Sequence, residues 1–128
     1  VADIATKLGL DGCLSTMTQN LSGGEKKRLS IGSEIVVNPR VLVLDEPTSG
    51  LDSASSIQVM KLLKNISESG CTVVCSIHQP SSQLMTFFDE VLVMAAGREL
   101  YCGPRDKLVD TFAEAKFSCP PYYSIAEY

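Results

Sequence analysis

The 128-residue chain contains no apolar run near the roughly 18 residues that a membrane-crossing helix needs, and no charged start leading into an apolar signal core. Nothing in it reads as a bilayer span. Its five cysteines, Cys13, Cys71, Cys75, Cys102 and Cys119, form no C-x-x-C pair and have no histidine at metal spacing, which leaves no zinc pattern and fits reduced thiols in a cytosolic compartment. Cys71 and Cys75 share one face of an expected strand as small buried hydrophobes. Positive charge is also short. Eleven Lys and Arg against fifteen Asp and Glu give a net charge of −4, which removes any global attraction to nucleic acid or to an anionic membrane surface. The densest basic run, Lys26-Lys27-Arg28, reads as a solvated helix face. Aromatic residues make up only 6% of the chain, and neither internal repeats nor low-complexity stretches occur.

What remains is an ordinary globular balance, 45% apolar and 20% charged, in a length that suits one domain or part of one. Ile4 and Leu8 lie one helical turn apart before Gly9, which predicts a short helix over 1–10. A loop around 11–20 leads to Leu21-Ser22-Gly23-Gly24-Glu25, which opens a second helix ended by Asn38-Pro39. The apolar run Val41 to Leu44 predicts a strand buried on both faces of a parallel sheet, and it closes on Asp45 and Glu46. Pro47-Thr48-Ser49-Gly50 is turn chemistry, and Asp52 or Ser53 can cap a helix carrying Val59, Leu62, Leu63 and Ile66, with Gly70 as its stop. Strands are expected over 71–77, 90–94 and 99–102, a short helix after Pro80, and a last helix after Gly103-Pro104 with Leu108 and Phe112. Strands alternating with helices in this order imply βαβ crossovers and a mainly parallel sheet covered by helices. Cys119-Pro120-Pro121 begins an irregular tail.

Three places carry chemistry. Asp45 and Glu46 stand at the carboxyl end of a strand, the edge at which open α/β sheets place their ligands. An aspartate there can hold Mg²⁺, and the next residue can orient or deprotonate a water. Ser22-Gly23-Gly24 lets backbone approach a ligand closely in front of a helix whose first N–H groups are unpaired, which makes an anion site. His78, the only histidine, closes a second strand in Ser76-Ile77-His78-Gln79-Pro80. Each signal alone has an ordinary account: a strand entering a polar turn, a serine cap, a structural histidine. The wider pattern in which they occur decides between these accounts.

With these residues in hand, the chain resembles the nucleotide-binding domains of ABC transporters. Leu21-Ser22-Gly23-Gly24-Glu25 resembles the ABC signature motif and Val41 to Glu46 resembles Walker B with its adjacent glutamate. Ser49-Gly50-Leu51-Asp52 resembles the D-loop, and His78 the switch-loop histidine. A finer resemblance to the G subfamily of half-transporters, which includes sterol and eye-pigment-precursor exporters, rests on Gly24 to Ile31, Asp45 to Ser53 and Ile77 to Ser81. The ending Cys119 to Tyr128 is similar to that subfamily's Cys-Pro, Asn-Pro-Ala-Asp-Phe ending but has Ser124-Ile125 where Asn-Pro is usual and Glu127-Tyr128 where Asp-Phe is usual.

The resemblance implies an α/β fold: a partial P-loop NTPase, RecA-like parallel sheet with helices, plus the end of the ABC helical subdomain. The implied division is 1–40 for the signature subdomain and 41–128 for the ATPase core. It implies ATP and Mg²⁺ as cofactors, Glu46 and His78 as catalytic residues, Asp45 as the metal residue, and Ser22, Gly23, Gly24, Glu25 and Asp52 as nucleotide-binding residues. The implied partners are a second nucleotide-binding domain and the transmembrane domain of the parent protein, with no nucleic acid, at the cytoplasmic face of a membrane. Two domains would pair head to tail, with Ser22 to Gly24 serving ATP held by the partner, and Asp45, Glu46 and His78 serving the subunit's own. The family's Gly-x-x-x-x-Gly-Lys-Ser/Thr loop does not occur in these 128 residues, so the expectation is a fragment that on its own is inactive. A soluble ABC ATPase acting on DNA or ribosomes, and a non-catalytic interaction fragment, are the alternative expectations.

Overall fold

The computed structural model describes residues 2–117, so the expected tail from Cys119 lies outside the described residues. The chain divides into two compact units, 1–78 and 79–128.

In the first unit, α1 (Ala2–Lys7) and two 3₁₀ turns (Asp11–Cys13 and Thr18–Asn20) precede α2 (Gly23–Ile35). Leu8, Leu10, Leu21 and Ile31 are buried there. The buried positions of α2 are Gly24, Arg28, Ile31 and Gly32, one face at helical spacing. Arg28 therefore departs from the solvated run expected for Lys26-Lys27-Arg28. It is 9% exposed and donates from Nη1 to Gln58 Oε1 at 2.9 Å, because its position one turn after Gly24 turns it inward.

β1 (Val41–Leu44), α3 (Ser53–Glu68) and β2 (Thr72–Cys75) form a β-α-β unit, with β1 and β2 parallel in the register Val41↔Thr72 to Leu44↔Cys75. This is the crossover that the alternation of elements predicts. α3 packs on α2 and on β2 and buries Val59, Met60, Leu62 and Leu63. Burial of β1 differs from expectation. Leu42 is buried, but Val41 and Val43 are exposed, Val43 to 74%, as is Val74, which pairs with Val43. With period-two alternation, α3 covers one face of this two-stranded sheet and leaves the other open.

The second unit holds α4 (Ser82–Met85), β3 (Glu90–Ala95), β4 (Arg98–Pro104), a 3₁₀ turn (Arg105–Lys107) and α5 (Leu108–Glu114). Here the mainly parallel sheet gives way to an antiparallel hairpin, β3 with β4, in a sheet of its own. Ala95 pairs with Arg98 across a two-residue loop, and both loop residues take positive φ, Ala96 +49° and Gly97 +72°. That is the turn geometry whose twist matches a hairpin, and Gly97 supplies half of it without steric cost. Met85, Tyr101 and Leu108 form the core, with Phe88, Val91, Val93 and Phe112 packed against them.

Candidate functional site

The first locus is the carboxyl edge of the β1/β2 sheet. Asp45 and Glu46 follow β1, and Ser76 follows β2 on the neighbouring strand. The Ser76 hydroxyl donates to Asp45 Oδ1 and accepts from the Glu46 N–H at 2.9 Å, so one side chain holds both carboxylate residues. Glu46 takes φ +44°, a left-handed conformation that costs a non-glycine residue about 1–3 kcal/mol. The chain then turns sharply, Ser49 N–H donating to Glu46 O at 3.1 Å over a buried Pro47. These bends leave an open cleft of about 400 Å³ lined by Glu46, Thr48, Ser49 and His78. Glu46 and His78, read separately from the sequence, thus meet at one cleft, with Asp45 beside it on the same strand end. Asp45, Glu46 and His78 are all solvent-exposed, and a carboxylate and an imidazole lining one open cleft can accept a proton from water and hold a polar group in place.

The second locus is the start of α2 against the start of α3. Ser22 caps α2 in a capping box: its hydroxyl accepts from Glu25 N–H at 3.3 Å, and Glu25 Oε2 accepts from Ser22 N–H at 2.8 Å and from Ser22 Oγ at 2.7 Å. The Ser22 hydroxyl, followed by its N–H, holds the Glu25 carboxyl below its ordinary range. Gly23 and Gly24 are the first helical residues, whose N–H groups have no partner within a helix. Asp52 caps α3, accepting from Ser55 N–H at 2.9 Å and from Ser55 Oγ at 2.7 Å, and these bonds lower its carboxyl in the same way. Gly24 leaves little room for a side chain here: a Cβ would come within 3.1 Å of Ser55 Cβ and Oγ, so Ser55, held by the Asp52 cap, would have to give by a few tenths of an ångström. So Ser22, Gly23, Gly24, Glu25 and Asp52 gather at this helix junction. None of them lines the cleft of Glu46 and His78.

Sequence reasoning missed Ser76. Its one signal was a hydroxyl where an apolar strand, Val73-Val74-Cys75, runs out, two residues before the only histidine. Among the described residues no group of three or more His, Cys, Asp or Glu gathers as a metal site, and the four described cysteines are free thiols, with burial pushing the Cys75 thiol up.

The fold is that of an ATP-binding cassette. A solved cassette of an ABC transporter matches with a TM-score of 0.78 over 90% of this chain and 46% of that one at 22% identity, and its ADP conformation with 0.76 over the same shares at 21%. The family model described as ABC transporter matches residues 1–49. The ABC transporter ATP-binding protein/permease wht-1 of Caenorhabditis elegans is 42% identical over all of this chain and 20% of its own length. ABC transporter G family member 13 of Arabidopsis thaliana is 48% identical over 90% of this chain and 18% of its own. Protein white of Drosophila melanogaster is 41% identical over all of this chain and 20% of its own. The chain belongs to the ABC transporter family, with relatives in its G branch, and it spans about a fifth of the length of the curated relatives it matches.

Proposed function

We infer that this chain is part of the ATP-hydrolysing nucleotide-binding domain of a G-type ABC half-transporter, coupling ATP binding and hydrolysis to export of a lipophilic substrate across a membrane. The observation that carries it is the strand edge where Glu46 and His78 line one cleft beside an Asp45 oriented by Ser76. Glu46 is the general base, taking a proton from the attacking water, and His78 holds the reacting end of the nucleotide in register with it. Asp45 would hold Mg²⁺, which supplies charge neutralisation on the phosphates. A single exposed carboxylate suits that ion, which keeps waters and substrate phosphates as its other ligands and does not need an all-protein cage.

The start of α2 has the complementary role. The unpaired N–H groups of Gly23 and Gly24 and the positive end of the helix dipole, with Ser22 and Glu25 shaping the turn, would face the terminal phosphate of ATP held by a second nucleotide-binding domain. Asp52 fixes α3 against that junction. Separation of this junction from the cleft of Glu46 supports a head-to-tail pair in which one subunit serves two nucleotides. The division into 1–40 and 41–128, a transmembrane domain as partner, a place at the cytoplasmic membrane face and no nucleic-acid partner belong to the same reading. The net charge of −4 favours the last of these.

In the protein expressed from its whole gene, Asp45→Asn is expected to weaken magnesium-dependent nucleotide binding by at least about tenfold, since even outer-shell partners of a metal are worth about 10–100-fold in affinity. Ser22→Ala is expected to spare binding and to impair the site of a wild-type partner when the two are mixed. Calorimetric binding with and without magnesium checks the first and phosphate release from the mixture the second. Magnesium-dependent binding unchanged in Asp45→Asn would refute the assignment.

A further inference from the structure

Ser76 has no catalytic, metal-holding or nucleotide-binding role above, yet it joins three pieces of the site. Its N–H donates to Leu44 O at 3.1 Å, carrying the β1/β2 ladder one rung past β2. Its hydroxyl donates to Asp45 Oδ1 and accepts from Glu46 N–H at 2.9 Å, using the one proton and one of the two lone pairs that a hydroxyl offers. Two residues further on stands His78, facing the cleft that Glu46 also lines.

We propose that Ser76 is a positioning residue for the ATPase reaction, setting Asp45, Glu46 and His78 relative to one another. The proposal rests on the reading of Glu46 and Asp45 given above. By occupying Oδ1 of Asp45, the hydroxyl leaves Oδ2 as the oxygen presented outward. By accepting the Glu46 amide, it anchors a residue whose φ of +44° has little intrinsic support. With the hydroxyl removed, the amide turns to water, the carboxylate of Asp45 rotates, and the strand end carrying Glu46 is tied to the one carrying His78 by the backbone ladder alone. Misplacement of a reacting group by about 1 Å can cost about 100-fold in rate.

The test compares Ser76→Ala with Ser76→Thr in the protein expressed from its whole gene. Threonine keeps the hydroxyl, and its branched Cβ suits extended backbone. Ser76→Ala is expected to lower kcat by about 10–100-fold and to weaken magnesium-dependent nucleotide binding by up to about 10–100-fold, as loss of an outer-shell partner of Asp45 does, with Tm and magnesium-free binding nearly unchanged, and Ser76→Thr to restore most of both. Hydrogen exchange without nucleotide gives a readout independent of turnover: the Glu46 amide should lose protection in Ser76→Ala and keep it in Ser76→Thr. Wild-type kcat and unchanged Glu46 protection in Ser76→Ala would overturn the proposal, as would equal impairment of both variants. Glu46→Gln run in parallel separates the two levels. If it loses turnover while Ser76→Ala does not, the role of Ser76 alone falls; if it keeps turnover, the reaction is misassigned and the exchange data still decide what Ser76 holds.

Discussion

Two carboxylates in this chain, Glu25 and Asp52, are spoken for by helix caps before any ligand is considered. The folded state depresses both, Glu25 through the Ser22 hydroxyl and N–H and Asp52 through the N–H and hydroxyl of Ser55. A depressed carboxyl contributes stability that is fully present above its unfolded pKa and is lost as pH falls through the lower folded one. The starts of α2 and α3 should therefore stay formed down through the ordinary carboxylate range, about pH 4–4.5, and open only in more acid solution. Amide exchange at Ser22 and Ser55 as a function of pH measures this, and loss of protection near pH 6 would contradict it. Asp45 and Glu46 are legible in the sequence, as the caps at Ser22 and Asp52 are, because each is a local pattern. The hydrogen bonds from Ser76 are not local, since they span 31 and 30 residues of chain and depend on strand register.

α2 and α3 pack on each other, and α2 carries Arg28, the one charged residue that is buried among the described residues. Its guanidinium donates a part-buried hydrogen bond to Gln58, whose side chain is exposed. Gln58→Leu should cost about 1–3 kcal/mol, the range for a hydrogen bond made by a charged group, while an exposed substitution such as Lys61→Gln should change stability by less than about 0.5 kcal/mol. Chemical denaturation of the two variants compares them, and equal midpoints would mean the packing does not depend on this bond. The elements themselves were legible in the sequence. β1 runs over the apolar residues 41–44, and α3 starts at its Asp52 cap and stops before Gly70, because caps and stops are written in adjacent residues. Partnering was less so. Alternation of strands and helices predicted a mainly parallel sheet, but Ala96-Gly97 at positive φ closes an antiparallel hairpin between β3 and β4, and the same alternation cannot say which face of β1 a helix will cover.

At the scale of the whole molecule, each unit carries one buried side and one apolar face toward solvent. Val41, Val43 and Val74 share the open face of the parallel pair, and Leu92, Met94 and Leu100 are exposed on the hairpin. Exposed apolar patches of this kind mark contact surfaces or association hazards. The described residues hold two of the loci that the family reading uses, the strand-end carboxylates with His78 and the glycine-led helix start. The claim that binds them together is that Glu46 acts as base on water at a nucleotide phosphate. The most direct measurement is phosphate release by Glu46→Gln in the protein expressed from its whole gene, alongside its affinity for ATP with magnesium. Glutamine keeps the size and one carbonyl acceptor but cannot take a proton, so turnover should fall by about 10²–10⁴-fold with affinity nearly unchanged. Turnover near the wild-type rate, with ATP still bound, would contradict the account.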